Sequence, residues 1–166
     1  MRDNTIVRPV AEADCRAITG IYNHYIADTT ATFEVDTVSE REMADRIKSV
    51  SARFPYLVIE EEGRVVGYSY VHTWKDRAAY SHTLELTIYL DCSCRGRGLG
   101  SKLLGEIIRK CHTLDTCHTL VACITEDNKE SIAFHSRHGF QQVSLFREVG
   151  RKFGRWLDVV DMQLMV

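Results

Sequence analysis

Arg95-Gly96-Arg97-Gly98-Leu99-Gly100-Ser101 decides how this chain reads: three alternate glycines follow an apolar strand, Leu84 to Leu90, and open an amphipathic helix. A turn of this kind presents a row of backbone N–H groups, and the positive end of the helix adds to their pull on an anion. Leu99, Leu103, Leu104, Ile107 and Ile108 recur at helical spacing directly behind the glycines, which fixes the helix. In a merely structural turn Arg95 and Arg97 would repel one another uncompensated, so the stretch reads as a phosphate loop.

Spacing separates the phosphate loops. A dinucleotide fingerprint needs G-x-G-x-x-G near the start of a βαβ unit, whereas this is G-x-G-x-G, late in the chain and after an antiparallel hairpin. A Walker loop needs four residues between its glycines and a closing Gly-Lys-Ser/Thr; Gly100-Ser101-Lys102 reverses the last pair.

Working outward, Thr5 to Arg8 reads as a strand ended by Pro9, and Ala13 to Ala27 as a helix with Ile18, Ile21, Tyr22, Tyr25 and Ile26 on one stripe. Ser39-Glu40-Arg41-Glu42 has the form of a capping box and opens a second helix that ends near Phe54-Pro55. Tyr56 to Glu60 and Arg64 to Thr73 form a hairpin across Glu61-Glu62-Gly63. Beyond the loop helix come a buried strand, Thr119 to Ile124, and a short helix, Ser131 to Arg137, stopped by Gly139. A last strand pair follows, Val143 to Val149 and Trp156 to Leu164, with Trp156, Val160, Met162 and Leu164 available for burial.

No linker or repeat divides the order β-α-α-β-β-β-α-β-α-β-β, so residues 1–166 are expected to form one α+β domain. A net charge of −2 supplies no global field for nucleic acid or an anionic membrane. The start, Met1-Arg2-Asp3-Asn4-Thr5, is polar, and no segment approaches the ~18 apolar residues of a membrane span, which points to a cytoplasmic protein. Six cysteines without a C-x-x-C pair read as reduced structural thiols rather than metal ligands.

Arg-x-x-Gly-x-Gly, here Arg95 to Gly100, resembles the pyrophosphate loop of the GCN5-related N-acetyltransferase (GNAT) superfamily. Asn128, the helix with Ser131-Ile132-Ala133-Phe134-His135, and Gly139-Phe140 extend the likeness. Within the superfamily the chain is most similar to the phosphinothricin and methionine-derivative acetyltransferases, through residues 21–26, 74–80, 85–90 and 152–158. The resemblance implies a mixed, mostly antiparallel twisted sheet, splayed at the cofactor site and flanked by about four helices. It also implies acetyl-CoA as co-substrate without a metal, a small free amine as acceptor, and a homodimer.

The same resemblance implies site residues. Glu85 would act as general base, directly or through water, because an ammonium must lose a proton before it attacks a thioester. Alternation puts Glu85, Thr87 and Tyr89 on one strand face and Leu84, Leu86, Ile88 and Leu90 on the other. The main chain of Ile88, Tyr89 and Leu90 would meet the pantetheine arm, Arg95, Gly96, Arg97, Gly98, Leu99, Gly100 and Ser101 the pyrophosphate. Asn128 would bond the arm or simply cap its helix, and Ser136 would approach the distal part of the cofactor.

Where many members of the superfamily carry a tyrosine acid, this chain has Phe134-His135; His135 is either that acid or a buried histidine. The loop Trp74 to Tyr80 would receive the acceptor, with Lys75 and Arg77 pairing a carboxylate or phosphinate and Phe33, Trp74 and Tyr80 enclosing a small side chain. Its plainer reading is a solvated charged loop. Competing functions are acetylation of a protein or peptide, and a non-catalytic sensor of coenzyme A.

Overall fold

The computed structural model describes residues 4–166, so the expectation for Met1, Arg2 and Asp3 lies outside the described residues. Two compact units emerge among the described residues, one of residues 4–23, 38–72 and 87–114, the other of residues 24–37, 73–86 and 115–166.

In the first unit, β1 (Thr5–Pro9), β2 (Tyr56–Glu61), β3 (Arg64–Thr73) and the second half of β4 (Thr83–Leu90) follow one another across the sheet. Pro9 closes β1 without cost because β1 is an edge strand, where a missing N–H breaks no ladder. The β2–β3 hairpin turns on Glu62 and Gly63, both at positive φ, the conformation a two-residue turn between twisted strands demands. Tyr56, Leu57, Val58 and Ile59 are all buried, so β2 is covered on both faces. Part of that cover is α3 (Leu99–His112), whose Leu103, Leu104, Ile107 and Cys111 have no exposed surface. The capping box forms as read: Ser39 Oγ accepts from Glu42 N, Glu42 answers at Ser39 N, and α2 runs Glu40–Ser51.

Charge is settled inside this unit by a fork. Arg8 donates to both carboxylate oxygens of Asp14 at 2.7 and 2.9 Å and to Glu60 at 2.8 Å. The guanidinium holds the buried Asp14 carboxyl below its usual range.

In the second unit, the first half of β4 pairs parallel with β5 (Thr119–Thr125), through Thr83–Glu85 and Thr119–Val121 alone. β5 then pairs antiparallel with β8 (Arg155–Met165), which carries both β6 (Gln141–Gln142) and β7 (Phe146–Lys152) on its far side. With α1 (Cys15–Asp28) and α4 (Lys129–Arg137), the described residues hold four α-helices and a mixed sheet, as expected, the sheet having eight strands.

Two expectations fail here. Val143 to Val149 is not one strand: Val143 N bonds to Asp161 O and Ser144 Oγ accepts from Asp161 N, which ends β6, and pairing resumes only at Phe146. A left-handed Glu148, with its N–H on Asp158 Oδ1, then bulges β7 between Phe146 and Gly150. Trp156, expected in the core, is 61% exposed, whereas Leu157, Val160 and Met162 are buried. All six cysteines are free; Cys94 and Cys111 are buried as small hydrophobes, but Cys92 and Cys123 are exposed. No helix among the described residues is long and apolar enough to cross a membrane.

Candidate active site

The glycine loop lies in the first unit. Asp91 caps a short 3-10 turn, Cys92–Cys94, by accepting from Ser93 N at 2.9 Å, and its own N–H reaches Val66 O. Gly96 and Gly98 follow at φ +72° and +80°, with nothing within 4 Å of an added Cβ. Backbone conformation, not crowding, therefore requires glycine, and the space over the turn stays open. Gly98 is the N-cap of α3, so the N–H groups of Leu99, Gly100 and Ser101 begin a helix without carbonyl partners of its own. An open turn, backbone amides and a helix N-terminus suit a diphosphate.

Arg97 plays a different part from the one its charge suggested. It forks onto Glu61 at 2.9 and 2.5 Å, tying the loop to the end of β2. Glu61 thus compensates the charge that Arg95 and Arg97 were expected to leave uncompensated. Ile88, Tyr89 and Leu90 lie at the half-buried end of β4, where Tyr89 packs edge-on against Tyr22 and tilted against Tyr68.

The second unit holds the remaining candidates. Glu85 stands half-buried on β4 opposite Val121, between the buried Leu84 and Leu86, as alternation required. Two residues along β5, Cys123 faces Asp161 in the register with β8. Although Cys123 as a whole residue is exposed, desolvation of its thiol and then the charge of Glu85 push that thiol up. This thiol beside two carboxylates was missed from sequence, because only the strand registers bring the three residues together.

Asn128 caps α4, its Oδ1 accepting from Ser131 N at 3.2 Å, and its carboxamide nitrogen has no hydrogen bond among the described residues. Ser136 is exposed on the same helix. His135 is 3% exposed, with Nδ1 2.8 Å from Ser131 O and its ring edge-on to both Phe134 and Phe140. Burial lowers its pKa, so the ring is a neutral donor locked to the backbone.

In the loop after β3, Trp74 and Tyr80 meet at a right angle, centroids 5.3 Å apart. Lys75 Nζ sits 4.1 Å from the Trp74 ring and 5.2 Å from that of Tyr80, filling the corner. Arg77, by contrast, is exposed and has no ion pair among the described residues. Phe33, 38% exposed, rests on the backbone of Gly150. No three-residue cluster of His, Cys, Asp or Glu among the described residues could hold a metal ion.

A model of the acetyltransferase (GNAT) domain matches residues 7–160. The chain belongs to the GNAT acetyltransferase family. A phosphinothricin N-acetyltransferase of Alcaligenes faecalis is 38% identical to this GNAT chain, over 95% of it and 80% of the relative. An L-methionine sulfoximine/L-methionine sulfone acetyltransferase of Salmonella typhimurium is likewise 38% identical, over 96% and 94%. Among solved structures, a GNAT superfamily phosphinothricin acetyltransferase of Sinorhizobium meliloti in complex with acetyl-CoA superposes with a TM-score of 0.94. It is 36% identical, covering 98% of this chain and 89% of that one.

Proposed function

We propose that this acetyltransferase moves the acetyl group of acetyl-CoA onto the α-amino group of a small amino acid analogue. The acceptor is of the phosphinothricin, methionine sulfoximine or methionine sulfone type, and Glu85 is the general base. The observation that carries the acceptor class is Arg77: an exposed guanidinium, free of ion pairs among the described residues, beside an aromatic corner. A compact cation of this kind suits the lone carboxylate or phosphinate of a free amino acid. The names of relatives matched over nearly the whole chain support the same class.

Each residue then has a task. Main-chain amides from Gly96 to Ser101 hold the diphosphate, with Arg97 bracing their loop on Glu61. Ile88, Tyr89 and Leu90 offer main-chain groups to the pantetheine arm, Asn128 its carboxamide nitrogen, and Ser136 the exposed face of α4. Bound acetyl-CoA supplies an activated acyl group and a thiol that leaves readily. Glu85 takes the proton from the acceptor ammonium, directly or through water. The Cys123 thiol, its ionisation suppressed, does not compete as a nucleophile. Arg77 orients the acceptor carboxylate; Lys75 stiffens the Trp74–Tyr80 corner, and Phe33 closes over the side chain. His135, buried and neutral, supports α4 instead of donating a proton.

The protein would work in the cytoplasm as one domain and as a homodimer. Val143, Leu145, Phe146, Val149, Phe153 and Trp156 are all at least 46% exposed, a concentration of apolar surface that a second copy would cover. Sedimentation at micromolar concentration checks the pairing.

Release of free thiol from acetyl-CoA tests the activity, with L-phosphinothricin, methionine sulfoximine, methionine sulfone and a set of peptides as acceptors. Turnover of at least one free analogue is expected. Acetylation of peptides alone, or acetyl-CoA binding without turnover, overturns the reading.

A further inference from the structure

Residues 29–37 have no regular structure, yet they are tied down at successive points. Thr125 Oγ1 donates to Thr30 O at 2.5 Å, and Thr30 Oγ1 to Asp127 at 3.0 Å. Two residues on, Lys152 Nζ donates to Thr32 O at 2.8 Å. Next in sequence, Phe33 packs against Gly150, where an added Cβ would come 2.1 Å from its ring.

Lys152 is an odd group to find in this place. It is 4% exposed, its charge disfavoured by burial, and among the described residues it has no carboxylate partner. Its ammonium donates to the Thr32 carbonyl and lies 5.1 Å from the centre of the Phe153 ring. A buried ammonium is costly unless something is gained from its hydrogen bond. The bond made here ends on the carbonyl immediately before Phe33. Gly150 is equally specific: its φ is not left-handed, so alanine would suit the backbone, and the Phe33 ring is what an added Cβ would meet first. Lys152 and Gly150 alternate with Arg151 on β7, so one face of this strand both pulls the loop in and leaves room for its ring.

We propose that Lys152 and Gly150 are specificity-positioning residues: the lysine draws the 29–37 loop onto β7 while the missing side chain of the glycine seats Phe33, and together they set how large an acceptor side chain fits. The inference rests on Phe33 facing the acceptor.

Four variants test it with methionine sulfone as acceptor: Phe33→Ala, Gly150→Ala, Lys152→Met and the pair Gly150→Ala/Phe33→Ala. Gly150→Ala and Lys152→Met are each expected to raise the acceptor KM at least fivefold, leaving kcat and the acetyl-CoA KM within twofold. A purely structural role would not split the constants in this way. If Phe33 transmits the effect, the double variant matches Phe33→Ala alone. Should Lys152→Met fail to fold, Gly150→Ala, which suits the backbone, still decides. A raised KM in Phe33→Ala with none in Gly150→Ala overturns the positioning role and leaves the acceptor assignment standing. An unchanged KM in Phe33→Ala removes Phe33 from the acceptor site, and this inference with it.

Discussion

Two arginines in two loops have opposite surroundings. Arg97, inside the glycine loop, is clasped by Glu61 in a fork; Arg77, in the loop after β3, is exposed and has no ion pair among the described residues. The first unit thus offers an anion its main chain, through amides that left-handed glycines hold open, with its nearby guanidinium already engaged. The second offers side chains. Recognition built on main chain depends on backbone conformation, whereas recognition built on side chains depends on residue identity, so substitutions in the two regions should differ in kind.

The largest effect is expected at Glu85. Glu85→Gln keeps the shape and removes the proposed base, and kcat/KM should fall by about 10²- to 10⁴-fold, the usual worth of general base catalysis. Calorimetric titration with acetyl-CoA should give an unchanged affinity, since the loop of the first unit is intact. A variant within threefold of wild type in turnover would take Glu85 out of the reaction.

Arg77→Ala comes next. Loss of a charge-assisted bond worth about 1.5–3 kcal/mol should raise the acceptor KM at least tenfold, with kcat little changed. Arg97→Ala is its counterpart: because Glu61 already holds that guanidinium, the acetyl-CoA KM should rise less than about threefold, on the scale of an exposed ion pair. A tenfold rise would mean that Arg97 leaves Glu61 for phosphate, and the contrast between the loops would be gone.

Gly98→Ala probes the main-chain side directly. At φ +80° a Cβ costs roughly 1–2 kcal/mol although it meets no neighbour, so the penalty is purely conformational. The acetyl-CoA KM should rise about five- to thirtyfold while the acceptor KM stays level. Equal rises in both would show that the loop does not recognise the donor alone.

This contrast also explains what the sequence could disclose. The glycine loop, the capping box of α2 and the hairpin at Glu62-Gly63 were legible because each rests on residues close together in the chain. The resemblance singled out Glu85, and alternation gave its place on the strand, between the buried Leu84 and Leu86. The partners were not legible: Glu61 reaches Arg97 from 36 residues away, Lys152 reaches Thr32 from 120, and Cys123 finds Glu85 and Asp161 only once two ladders set their registers. Val143 to Val149 misled for a related reason. Its apolar alternation is real, but Ser144 bonding to Asp161 N and the bulge at Glu148 break the pairing that alternation implies.

Acid should separate the two units by their buried ionisable groups, and this is the smallest effect. His135, in the second unit, has its pKa lowered by burial from the ordinary 6.5, so the fold favours the neutral ring. Below pH 6.5 the unfolded chain takes up this proton before the folded one. Stability is therefore lost as pH falls, by up to about 1.4 kcal/mol per pH unit, until the folded ring also titrates. Asp14, in the first unit, is held below the ordinary 3.8 by its bond to Arg8, so its contribution is present above that value and fades only beneath it. Between pH 6.5 and 4, of these two groups, only His135 acts. Hydrogen exchange at pH 7 and pH 5 should show α4 losing protection while β1 and β2 keep theirs. Equal losses in both places would mean that the units open together, and an unchanged α4 would mean that His135 is protonated in the fold without penalty.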